Sequence, residues 1–285
     1  MKYMNKFKLN DGNEIPAVGF GVFQIPNNGP TYEATLNALK AGYRHIDTAA
    51  GYMNESDVGK AIKDSGIPRE EIFITSKLWL QDYGYENAKK GIQNSLDLLD
   101  TDYIDLYLLH QPYGDYLGAW KALEEAKQQG VLKSIGISNV TVNLWNKFKD
   151  GFTIMPAVNQ VEYNPFTQQR ELKALMEENG ILLEAWYPLG HGNKDLLNNE
   201  VITSLADKYN KNTGQIILRW INQTGVISMP KSTNPERMKG NIDLFDFELT
   251  DEEMEAINNL DTGKATHNPE DPANETRLMG LKIHD

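Results

Sequence analysis

Eight short apolar runs recur along the 285-residue chain, most of them about 25 to 30 residues apart, with a helical pattern after each. The runs lie at 19–20 (GF), 45–46 (HI), 72–75 (IFIT), 103–109 (YIDLYLL), 134–137 (SIGI), 157–161 (AVNQV), 181–183 (ILL) and 226–228 (VIS). Between them, apolar residues repeat at helical spacing: Ile92, Leu96 and Leu99; Leu117, Trp120 and Leu123; Leu172, Leu175 and Met176; Ile202, Leu205, Ala206 and Tyr209. That spacing is one strand-plus-helix unit. Eight units with no obvious linker predict a single-domain (β/α)₈ barrel over residues 1–285. An open doubly wound sheet fits less well, because no G-x-G-x-x-G follows the first run.

The flanks add detail. Asn10-Asp11-Gly12-Asn13 between 7–9 and 15–18 predicts an N-terminal hairpin. The last gap between runs holds two helical patterns, around Ile202 and Ile217, and Thr250 with Glu253 forms a capping box for one more helix. Residues 262–285 are polar and contain proline, and read as a loop over one end.

Composition excludes several function classes. The net charge of -12 argues against a nucleic-acid partner. With no cysteine there is no disulfide, thiolate metal site or cysteine nucleophile. No apolar stretch approaches the roughly 20 residues of a membrane span, and MKYMNKFKLN has no leader-like apolar run. The expectation is a cytoplasmic protein.

In a barrel, chemistry gathers at the C-terminal ends of the strands. Read in order, those ends carry Asp47, Lys77, His110, Ser138 with Asn139, Gln160 with Glu162, Glu184 with Trp186, and Lys231. Each alone is more often structural, as a cap, a solvated lysine or a hydrogen-bonded core histidine. Together they could face one mouth. No metal-ligand spacing such as H-E-x-x-H occurs, so no metal is expected. Glu162 and Glu184 could form a glycosidase pair, but this leaves Tyr52, Lys77 and His110 without roles. Carbonyl reduction uses them all. The alkoxide needs a proton, which Tyr52 could donate if a nearby ammonium made it a better acid than its ordinary pKa of about 10 allows. Asp47 would hold Lys77 charged, and His110 would orient the carbonyl oxygen.

These residues stand in stretches that, along nearly the whole chain, resemble the aldo-keto reductase superfamily: GYRHIDTAAGYMNESDVGKAI, IFITSKLW, DYIDLYLLHQP, SIGISN, AVNQVEYNP, ILLEAWYPLG and SMPKSTNPERMKGNIDLFDFELTDEEM. The likeness is greatest to the bacterial branch near the diketogluconate and methylglyoxal reductases. It implies NADPH-dependent reduction of a small-molecule carbonyl substrate by a monomeric barrel whose hairpin closes the base. It implies that Tyr52 is the proton donor, Lys77 and Asp47 its tuning pair, and His110 the carbonyl orienter. Ser138, Asn139 and Gln160 would hold the nicotinamide carboxamide, and Trp186 would stack on the ring. Leu189, Gly190 and His191 would border the pyrophosphate, with Gly21 and Val22 also at the coenzyme. Lys231, Ser232, Thr233, Asn234, Arg237 and Asn241 would take the adenosine end and its 2′-phosphate. A dianionic phosphate suits such a cationic clamp.

Phe23, Trp79, Gln111 and Tyr113 are the expected substrate-pocket walls. Phe23 and Gln111 stand where many members carry tryptophan, and Gly240 replaces a common acidic residue, so pocket shape departs from the family pattern. Some barrels of this family serve as channel subunits or lens proteins, which leaves an NADPH-binding regulatory barrel as the alternative.

Overall fold

The computed structural model describes residues 5–285; residues 1–4, part of the stretch read as lacking a leader, lie outside the described residues. The Asp11-Gly12 turn, with Gly12 at φ +92°, joins strands β1 (Lys6–Lys8) and β2 (Glu14–Pro16) in the expected antiparallel hairpin. Eight further strands follow: β3 (Phe20–Gly21), β4 (His45–Asp47), β5 (Phe73–Leu78), β6 (Ile104–Leu109), β7 (Leu132–Ser138), β8 (Val158–Glu162), β9 (Leu182–Trp186) and β10 (Ile227–Ser228). Each pairs in parallel with the next in chain order. The ends meet at a parallel bridge between Val18 and Ser228. There Gly19 N–H donates to the Ser228 carbonyl (2.9 Å) and Ser228 N–H to that of Ala17 (3.0 Å). The sheet closes into the (β/α)₈ barrel that the eightfold repeat predicted, with a helix after every barrel strand.

Period-two alternation sorts each strand's side chains. Leu106 and Leu108 of β6 join Phe73, Val158, Ile227 and Met229 inside the barrel, while Tyr107 and Leu109 pack outward against the helices. Leu9 and Ile15 of the hairpin belong to the interior cluster and plug its base. Gly136 on β7 leaves room for this packing, since a Cβ there would lie 2.6 Å from Leu108.

The expected helices form, and so do two that were not foreseen. Lys194–Leu197 precedes the two in the last gap, and Pro272–Met279 lies within the tail expected to be a loop. Asp271 caps the tail helix through Ala273 N–H, and Pro272 stands in its first turn, where no amide is needed. Leu117 was expected on the core face of its helix but is exposed, because a step of three drifts around a 3.6-residue turn. No described helix is long and apolar enough to cross a membrane.

Candidate active site

Asp47 ends β4, and Lys77 lies on β5 above Thr75 and Phe73 on the same face. Both side chains therefore point inward, just below the mouth. Lys77 is fully buried, and its ammonium has three partners: Asp47 Oδ1 at 2.7 Å, the Thr48 carbonyl at 2.9 Å and the Tyr52 hydroxyl at 3.2 Å. Burial works against the charge on Lys77. Asp47 and then Tyr52 outweigh it and hold its pKa above the ordinary lysine value.

Tyr52 sits on a single 3₁₀ turn, Ala50–Tyr52. Gly51 in that turn does not have a positive φ. It is small for a different reason: a Cβ would lie 2.7 Å from the Trp79 ring. Met53 takes the left-handed conformation instead, at φ 55°. The expectation that Lys77 makes Tyr52 more acidic than usual also needs correction. Burial pushes the phenol up to about 12, and the lowering by Lys77 only partly offsets it.

His110 follows β6 and packs edge-on against Tyr52 (5.4 Å) and Trp79 (5.2 Å). Burial, then Lys77, keeps its pKa well below the ordinary value, so the imidazole is neutral. Nδ1 is buried without a partner, which leaves Nε2 as the ring nitrogen reachable from the mouth. Beside them, Gln160 on β8 donates from its one Nε2 to Asp47 Oδ2 (2.8 Å) and to Glu184 Oε1. Asn139 accepts from the Trp186 indole at 3.0 Å, and Ser138 donates to the Gln160 carbonyl at 2.9 Å.

A cavity of about 940 Å³ opens over this cluster. Asp47, Tyr52, His110, Ser138, Asn139, Gln160, Trp186, Leu189, His191, Lys231, Ser232, Arg237, Asn241 and Gly21 line it, as do Phe23, Trp79 and Gln111. Six expected residues do not. Lys77 lies behind Asp47 and Tyr52. Val22 is in the core, and Gly190 and Thr233 lie off the lining. Asn234 caps helix Pro235–Ile242 by accepting from Arg237 N–H at 3.0 Å. Tyr113 is buried, and its hydroxyl donates to the Pro269 carbonyl at 2.8 Å. It supports the tail rather than walling the pocket.

The glycosidase pair fails on geometry. Neither Glu162 nor Glu184 lines the cavity. Glu162 instead accepts from Thr266 and His267 of the tail, and burial and then Asp47 push the Glu184 carboxyl up to about 8. Among the described residues, no cluster of side chains could hold a metal.

The tail was the part of the site that sequence reasoning missed. His267, Arg277, Leu278, Leu281, Lys282 and Ile283 line the cavity. Hydrogen bonds tie the tail to two loops, after β5 and after β7: Trp79 Nε1 donates to the Leu281 carbonyl (2.9 Å), Ile283 N–H to Gln81 Oε1 (2.8 Å) and Thr141 to Glu270 (2.6 Å). The indole of Trp79 and the amide of Gln81 were the available signals, but neither names its partner.

At the opposite end of the groove, Lys231 and Arg237 have no carboxylate partner among the described residues. Arg237 Nε donates to Ser232 at 3.2 Å, and burial lowers the Lys231 pKa. Two unpaired cations on a chain of net charge -12 suit an anionic ligand.

A family model described as aldo/keto reductase family matches residues 17–262. Glyoxal reductase of Bacillus subtilis is 47% identical over 254 residues, covering 89% of this chain and 91% of the relative. Methylglyoxal reductase DkgA of Escherichia coli K12 is 42% identical over 260 residues, covering 90% and 94%. Among solved structures, a Bombyx mori aldo-keto reductase in complex with NADP superposes with a TM-score of 0.87 at 37% identity, covering 96% of this chain and 97% of that one.

Proposed function

This chain belongs to the aldo/keto reductase family, and from that premise we propose that it is an NADPH-dependent reductase of small aldehydes, ketones and dicarbonyls. The glyoxal and methylglyoxal that name its relatives are the first substrates to test. The observation that carries this reading is the Lys77 ammonium, bonded at once to Asp47 and to the Tyr52 hydroxyl at the floor of the cavity.

The residues fit the coenzyme. Lys231 and Arg237 would hold the 2′-phosphate, with Ser232 beside them and Asn241 nearby. Ser138, Asn139 and Gln160 would hold the carboxamide, and Trp186 would carry the ring. NADPH, when bound, supplies the hydride for the carbonyl carbon.

The chain supplies the proton and the orientation. His110 donates from Nε2 to the carbonyl oxygen, and its neutrality lets that nitrogen carry a hydrogen bond without a competing charge. Tyr52 passes its proton to the oxygen as charge develops there. A phenol near 12 remains protonated until then. Lys77 then lies 3.2 Å from the new phenolate and stabilises it, so the ammonium acts after proton transfer more than before it. Phe23, Trp79 and the tail exclude water from the reacting centre.

We propose further that the whole chain works as one domain, monomeric and cytoplasmic. The continuous barrel supports the single domain. The test is NADPH oxidation with a panel of aldehydes, ketoacids and dicarbonyls, by wild type and Tyr52→Phe. Tight NADPH binding with no turnover of any carbonyl would favour a regulatory barrel instead.

A further inference from the structure

Glu184 is fully buried on β9, directly across from Gln160 on β8 in the strand register. Strand alternation places it on the same face as Trp186, one layer beneath the platform assigned to the nicotinamide. The Nε2 of Gln160 donates one hydrogen to Glu184 and the other to Asp47. Both amide hydrogens are thus committed downward, to two carboxyl groups on different strands. Oε1 of Gln160 has no donor among the described residues, and this side chain lines the cavity.

We propose that Glu184 is a positioning residue: with Asp47 it locks the Gln160 amide so that only its carbonyl faces the mouth, where it accepts from the carboxamide NH2 of the coenzyme. The inference rests on the coenzyme reading above. A flipped amide would set its oxygen against two carboxyl groups and leave both its hydrogens unpaired at the acceptors. Asp47 alone would hold only one hydrogen. The second would be buried without a partner, and the amide would gain by turning toward water in the cavity. Burial, then Asp47, raises the Glu184 pKa, so the carboxyl is neutral and two negative charges do not face one amide.

The test compares NADPH with its 3-acetylpyridine analogue, which has a methyl ketone in place of the carboxamide and cannot donate. Dissociation constants are measured by fluorescence titration for wild type, Glu184→Leu and Glu184→Gln. Wild type should prefer NADPH, and Glu184→Leu should lose about tenfold of that preference. Glu184→Gln, whose amide carbonyl can still accept, should restore it. Glu184→Ala, which leaves room for water, provides the same comparison if the leucine variant does not fold. A merely structural role would weaken both coenzymes equally and leave the preference intact, and that result overturns the proposal. So does a wild type with no preference while binding both tightly, which leaves the coenzyme reading standing. Failure of wild type to bind either one would overturn the coenzyme reading too.

Discussion

The ammonium of Lys77 donates to the Tyr52 hydroxyl across 3.2 Å from a position with no solvent exposure. The lysine is held there by Asp47, and on the proposed mechanism the tyrosine hydroxyl is the atom that acts on substrate. Loss of that atom should be felt almost wholly in chemistry. Tyr52→Phe should lower kcat by a factor on the order of 10² to 10⁴ and leave NADPH affinity within about twofold. Steady-state kinetics with methylglyoxal, together with coenzyme titration, check both halves.

Lys77 also bears on stability. Lys77→Met leaves Asp47 buried without its cation, and should destabilise the fold by about 3–5 kcal/mol. The double variant Asp47→Asn/Lys77→Met should recover a large part of that loss. Urea unfolding of wild type, Asp47→Asn, Lys77→Met and the double variant measures the coupling; additive effects would mean the pair contributes little.

The pH dependence of reduction follows from two groups. Tyr52 keeps its proton up to about 12, and His110 is neutral well below the ordinary 6.5. The rate kcat/KM should therefore be nearly flat from about pH 6 to about pH 7, below the range in which Glu184 beside Gln160 loses its proton. An acid limb near 6.5 would show that a titrating imidazole takes part.

Glu184 predicts a slope in stability. Its carboxyl titrates near 8 when folded and near 4.5 when exposed, with burial and Asp47 raising it and Gln160 and Lys77 opposing. Between those values the unfolded chain has released a proton that the folded protein retains. The contribution of Glu184 should thus be full below 4.5 and fall as pH rises toward 8, by on the order of 1 kcal/mol per unit. Glu184→Gln should flatten that slope in denaturant titrations run across the range.

Arg237→Ala should raise the KM for NADPH by about 10- to 100-fold and leave that for NADH nearly unchanged, since it removes a charged contact only the 2′-phosphate can use. Equal losses with both coenzymes would place the phosphate elsewhere.

Much of the site was legible because two rules combine. Alternation along a strand puts His45 and Asp47, Thr75 and Lys77, and Leu108 and His110 on inward faces, and a barrel directs all inward strand ends to one mouth. The Lys231–Arg237 segment was legible through the family resemblance, with which its two cations on an acidic chain agree. What was hidden depends on register and on distant partners. That Gln160 would sit between Asp47 and Glu184 requires knowing how β8 aligns with β9. The tail helix Pro272–Met279 has a single buried residue, Leu278, and no apolar face to read. The acidity of Tyr52 was misjudged because charge proximity is visible in a list of residues, whereas desolvation is visible only in three dimensions.

The seam between Val18 and Ser228 has a bearing on how the molecule is made. During synthesis the first barrel strand must wait, with its far edge unpaired, for the eighth, more than two hundred residues later. The cationic segment Lys231–Arg237 emerges just behind that last strand. Nascent chains short of it would have neither a closed wall nor the cations proposed to hold the adenosine end of a coenzyme. A dinucleotide in the cell would then stabilise only molecules that have finished closing, and retention on an immobilised coenzyme would separate completed barrels from interrupted ones.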